Sequence, residues 1–166
     1  MHTIHAHFSR FRETPIDTLL HAYGVYVLWD GRSQARPCYI GEGDIWARLT
    51  SHRKRFSRPI SGYLAILDEK YSAQIKRDCQ ILEATLLEIG SETDRTPTQN
   101  RRGGNLSKIE SIFNRHGVMR LTISGYDPLT PPAESKVMTK NKIIRFSEEV
   151  AGIYIDHPWR LRKIRS

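Results

Sequence analysis

Two phenols, a guanidinium, an imidazole and a carboxylate are the groups in this chain whose spacing suits joint chemistry. Tyr26 ends the run Gly24-Val25-Tyr26, Tyr39 opens Tyr39-Ile40-Gly41, and Arg48 and His52 follow one helical turn apart. Glu83 comes later, in a second stretch with helical spacing. A guanidinium offers a planar fork of donors that matches phosphate oxygens better than a lysine ammonium does. An imidazole donates, accepts or transfers a proton near neutral pH. A phenol, with an ordinary pKa of about 10, acts as a base only where nearby cations favour the phenolate. Collected on one small surface, these groups suit a phosphodiester, not a sugar or an acyl group.

The surrounding elements must build that surface. Residues 24–29 are rich in β-branched and aromatic types and predict a strand; 31–37 read as a loop, and 38–40 as a returning strand. Such a hairpin turns Tyr26 and Tyr39 in the same direction. Gly41 and Gly43 are expected to free the backbone for a turn, with Asp44 capping a helix over 45–56. Ile45, Leu49, His52 and Phe56 share one face of that helix and Arg48 borders it. A third strand is expected over 62–67 and a long helix over 72–89, whose buried stripe is Ile75, Cys79, Leu82, Leu86 and Ile89. Glu83 lies at the edge of that stripe with no cation three or four residues away, so its partner must be non-local. Elsewhere the pattern predicts a short helix from Thr14-Pro15 to about Ala22, a helix near 106–115, and an alternating strand through Met119, Leu121 and Ile123. Residues 136–155 are ambiguous, with a strand expected only over 152–155.

Residues 24–100 resemble the GIY-YIG nuclease superfamily. The resemblance rests on GVY at 24–26, YIG at 39–41, Arg48, His52, Glu83 and Asn100, in that order, and covers about half of the chain. Glu42 departs from it, standing where some relatives carry a lysine; a second literal match, Gly152-Ile153-Tyr154, has no following YIG and is set aside. The resemblance implies a catalytic set of Tyr26, Tyr39, Arg48, His52, Glu83 and Asn100. One tyrosine, with Tyr26 favoured, would activate the attacking water, and Arg48 would bind the scissile phosphate. Glu83 would hold a single Mg²⁺ or Mn²⁺ through one carboxylate and several waters. His52 would bond to the phosphate or a tyrosine, or transfer a proton, and Asn100 would orient the site. Each residue also has a plainer reading: two strand aromatics in the core, a satisfied buried histidine, a Glu83–Arg48 ion pair, and a turn asparagine.

Composition supports an acidic partner. The chain has 166 residues, a formal net charge of +8, 39% hydrophobic and 27% charged residues, which reads as one globular domain. No acid occurs between Asp44 and Asp68, a window that holds Arg48, Arg53, Lys54, Arg55 and Arg58. Arg53, Lys54, Arg55, Arg58, Arg101 and Arg102 are the expected nucleic-acid contacts, with double-stranded DNA as the expected partner. Cys38 and Cys79 lack metal-ligand spacing and read as buried free thiols. No membrane span or signal segment is expected, and the location expected is cytoplasmic. His2, His5 and His7 are discounted as a metal site because an N-terminal segment frays.

The expected fold is therefore α/β: a small, largely antiparallel three-stranded sheet flanked by helices. Residues 1–23 would form an N-terminal extension with a short helix, 24–102 the nuclease-like core, and 103–166 a basic C-terminal extension packed on it. That last segment is expected to read DNA or to make a homodimer. The expected activity is metal-dependent endonucleolytic hydrolysis of DNA; a nucleic-acid-binding module that keeps the fold without cutting is the alternative.

Overall fold

The computed structural model describes residues 2–30, 36–55, 61–93, 95, 97, 98, 100, 119–149, 152–156 and 161–163; for 92, 147–149, 152–156 and 161–163 it describes the backbone only. The elements are β1 (His2–Arg10), a 3₁₀ turn (Phe11–Glu13), α1 (Ile16–Leu19), β2 (Tyr23–Trp29), β3 (Tyr39–Asp44), α2 (Ile45–Arg55), β4 (Ser61–Asp68), α3 (Ala73–Glu92), β5 (Met119–Gly125), β6 (Lys142–Glu149), β7 (Gly152–Asp156) and β8 (Leu161–Lys163). The strands form one mixed sheet in the order β3-β2-β4-β1-β5-β6-β7-β8. Neighbouring strands pair antiparallel except β1 with β5, which run parallel. The protein is thus α/β with a mixed sheet flanked by helices.

Alternation divides the sheet into two faces. Ile4, Ala6, Phe8, Val25, Val27, Tyr63, Ala65, Leu121 and Ile123 belong to one buried cluster with Cys79, Leu82, Leu86 and Ile89 of α3. Tyr26, Leu28 and Leu64 belong to the other, with Leu19 and Ala22 near α1, and Ile45 and Leu49 of α2. Both cysteines are free and buried.

Four expectations about the fold are corrected. Among the described residues the sheet has eight strands, not three. Residues 2–10, assigned to an N-terminal extension with a fraying end, form β1 between β4 and β5. The signal is the alternation of buried Ile4, Ala6 and Phe8 with exposed His5 and His7, which assignment of the segment to a fraying end left unused. Gly43 is not in a turn but near the end of β3, where its φ of 122° bends the strand into α2. The ambiguous stretch 136–155 supplies β6 as well as β7. Its outward residues include Ile143, 42% exposed, which spoils the polar half of the alternation. One smaller difference occurs at a helix start. Asp44 caps α2 through a bond from the Ala47 amide, as expected, whereas Thr14 leaves α1 uncapped and donates to the Arg10 carbonyl. The helix expected near 106–115 lies outside the described residues, as do Phe56, Arg58, Arg101 and Arg102.

Candidate active site

The β2–β3 hairpin sets Tyr26 directly opposite Gly41. That pairing decides the position of the first phenol. A Cβ at residue 41 would lie 2.3 Å from the Tyr26 hydroxyl oxygen and 2.7 Å from the Tyr39 ring, so only glycine leaves room for both tyrosines. The two rings stack with centroids 6.1 Å apart. His52, facing the sheet from α2, completes a cluster of three rings, 4.7 Å from Tyr39 and 5.6 Å from Tyr26.

A hydrogen bond of 3.0 Å joins the Tyr26 hydroxyl to His52 Nε2. Burial pulls the His52 pKa below its ordinary value, and the Arg55 and Arg48 charges push it the same way. The ring is therefore neutral at pH 7, and in the tautomer protonated at Nδ1 the phenol donates to it. The Tyr26 pKa is driven well above the ordinary phenol value, first by burial and then by Tyr39. Arg48 opposes that rise, while Glu83 and Glu42 add to it. The expectation that nearby cations favour the Tyr26 phenolate thus meets a larger desolvation effect of opposite sign. What the arrangement can do instead is pass the phenol proton to a neutral imidazole already in contact.

Arg48 is exposed on the first turns of α2 and folds back over β3: its Nε lies 3.5 Å from where a Cβ at Gly43 would be. Arg53, Lys54 and Arg55 are exposed farther along the helix. Glu83 sits half-buried on α3, and its charge reaches both Tyr26 and Cys79. Sequence reasoning passed over Glu42 as a partner of Glu83. Its place on β3 is opposite Val25, which faces α3, and its charge reaches the same two residues. The signal available was its alternation with the buried Ile40. These two half-buried carboxylates supply hard oxygen donors suited to Mg²⁺ or Mn²⁺. Among the described residues no three His, Cys, Asp or Glu side chains converge as a metal cage, so a cation held here would keep most of its water.

Asn100 takes a specific role. Its Oδ1 accepts from the Ile40 amide and its Nδ2 donates to the Ile40 carbonyl, both at 2.9 Å. The side chain thereby pairs with the outer edge of β3 as a neighbouring strand would, one residue from Tyr39 and one from Gly41. A further bond from the Thr98 amide to the Pro37 carbonyl ties the same segment to the start of that edge. The GIY run at 152–154 lies in β7, on the far side of the sheet from β2. His2, His5 and His7 do not form one group: His2 bonds to Asp78 at 2.7 Å and His7 to Ser124 at 3.0 Å. The Cys38 and Cys79 thiols are pushed up to about 12, chiefly by burial, which makes both poor nucleophiles.

Comparison with protein-family models, with curated proteins and with solved structures finds no match to this chain.

Proposed function

We propose that this protein is a divalent-metal-dependent endonuclease of GIY-YIG type that hydrolyses phosphodiester bonds, with double-stranded DNA as its substrate. One observation carries the reading: Tyr26, Tyr39 and His52 form a single ring cluster on which the Arg48, Glu83 and Glu42 charges all act. Arg48 binds the scissile phosphate and offsets charge that grows on its oxygens as the bond breaks. Tyr26 accepts a proton from the attacking water while its own proton passes to His52 Nε2, so no free phenolate is needed. Tyr39 closes the other side of the imidazole and limits its rotation. Asn100 acts as a positioning residue, holding β3 and with it Tyr39 and Gly41. Glu83 and Glu42, whose charges both reach the phenol, would hold the cation, which when bound would supply positive charge to the phosphoryl oxygens. The exposed cations of α2, Arg53, Lys54 and Arg55, would follow the phosphate backbone.

The test is conversion of supercoiled plasmid to nicked and linear forms with Mg²⁺ or Mn²⁺, comparing wild type with Glu83→Ala. The variant should bind DNA with near wild-type affinity and lose nicking by about a hundredfold or more. A wild-type protein that binds but cuts neither DNA nor RNA would replace this reading with that of a binding module.

A further inference from the structure

Helix α2 packs one face on the sheet and turns the rest to solvent. Ile45 and Leu49 join the cluster that holds Tyr26, and His52 is buried beside them. Every other residue of the helix is exposed, and none is acidic. The carboxylate just before it, Asp44, is engaged by the Ala47 amide. At about 100° per residue, positions seven apart fall about 20° from one another and about 10.5 Å along the axis. Arg48 and Arg55 therefore make one row, and Trp46 and Arg53 a second, on opposite flanks of the helix. The Arg48 row belongs to the site, since the Arg55 and Arg48 charges both act on His52. The other row carries Trp46, a large apolar side chain left 38% exposed. Between the rows the crest holds Ala47, Thr50 and Ser51, with Lys54 closing it at the last turn.

Cations on both flanks suit a ligand that presents phosphates on two sides at once; a single strand would engage one row alone. A helix with its side chains is about 10–12 Å across, and the major groove of B-form DNA, about 12 Å wide, admits it. The major groove of A-form RNA is deep and narrow and does not. We infer that α2 lies in the major groove of duplex DNA, with Arg48 and Arg55 on the backbone of the strand to be cut, Trp46 and Arg53 on the backbone of the other, and the crest over the base edges. The helix has 11 residues and is about 16 Å long, so it covers about five base pairs at about 3.4 Å each. This placement brings the scissile phosphate to Arg48 beside His52 and excludes double-stranded RNA as a substrate. The inference deepens the nuclease reading and rests on it for the role of Arg48.

The experiment measures binding by the full chain without divalent metal, so that nothing is cut. The probes are a plain DNA duplex, an RNA duplex of the same sequence, a DNA duplex with glucosylated 5-hydroxymethylcytosine filling its major groove, and one with netropsin in its minor groove. The plain duplex should bind about tenfold or more tighter than the RNA and glucosylated duplexes, and about as tightly as the netropsin-filled one. Thr50→Trp puts a bulky ring on the exposed crest; it should weaken binding to plain DNA about tenfold and leave the melting temperature within a degree or two. Equal binding of plain and glucosylated duplexes, or full affinity in Thr50→Trp, would overturn the placement; nicking by the wild type would then still uphold the nuclease reading. Binding lost to netropsin alone would overturn it in favour of the minor groove. Major-groove binding with no cutting in Mg²⁺ or Mn²⁺ would remove the nuclease reading and leave α2 in its groove. A protein that binds none of the four duplexes overturns both.

Discussion

A methyl group at position 41 would meet the Tyr26 hydroxyl at 2.3 Å and the Tyr39 ring at 2.7 Å, both inside van der Waals contact. Gly41→Ala should therefore displace one phenol and reduce cleavage about a hundredfold, with far-UV circular dichroism unchanged; activity within a few-fold of wild type would mean that the tyrosine geometry does not matter. His52 gives a second test at this scale. Burial and the neighbouring Arg55 and Arg48 hold its pKa below the ordinary 6.5. Stability from this residue is complete above the unfolded value. As pH falls below it, the unfolded chain gains a proton that the folded chain refuses, and stability declines toward the lowered folded value. The melting temperature of wild type should drop more steeply than that of His52→Gln as pH falls from 7, and nicking should fall only at the lower pH where the folded chain's His52 takes up a proton and can no longer accept from Tyr26. Parallel melting curves for the two proteins would remove His52 from the account.

At the scale of elements, β3 is the strand most dependent on help from outside the sheet. It has β2 on one side and stands at the end of the strand order, so its outer backbone groups need partners. Asn100 satisfies the amide and carbonyl of Ile40 together. Asn100→Ala should raise hydrogen exchange at Ile40 and Gly41, cost about 1–2 kcal/mol of stability, and lower kcat more than KM. Unchanged exchange along β3 would show that the segment is held by other contacts. The elements nearest the site were readable because each carries its own periodic pattern. Ile45, Leu49 and His52 mark the inner face of α2, and Ile75, Cys79, Leu82, Leu86 and Ile89 that of α3. β6 was not readable because an exposed Ile143 breaks its alternation, whereas β1 does alternate, Ile4, Ala6 and Phe8 inward against His5 and His7, and only its place between β4 and β5 depends on the tertiary structure.

For the whole molecule, the charge balance and the sheet work together. Net charge +8 is distributed so that Arg48, Arg53, Lys54 and Arg55 are exposed on one helix, and under the proposed function this cluster would bind phosphates with release of counterions. The double variant Arg53→Ala, Lys54→Ala should reduce the slope of log K against log salt by about two units, with the melting temperature shifted by only a degree or two. An unchanged slope would place DNA elsewhere on the molecule. The two faces of the sheet divide the work: α3 packs its buried stripe on one face and brings Glu83 to the β3 side, while α2 delivers Arg48 and His52 from the other. Among the described residues no helix is long and apolar enough to cross a membrane.

The amino-acid order alone determined the local pieces of the site: a Tyr-bearing hairpin, a helix with Arg48 and His52 one turn apart, and a second helix with Glu83 at the edge of its apolar stripe. These follow from periodicity and turn chemistry, which act over a few residues. The tertiary structure alone decided that the first residues form an inner strand, that Glu42 faces α3 where its charge and that of Glu83 reach Cys79, and that Tyr26 bonds to His52. Each depends on contacts between residues far apart in the chain. Burial is the clearest case: the desolvation that raises the Tyr26 pKa against the pull of Arg48 comes from the packing of two helices and a sheet around one ring, and no short stretch of sequence contains it.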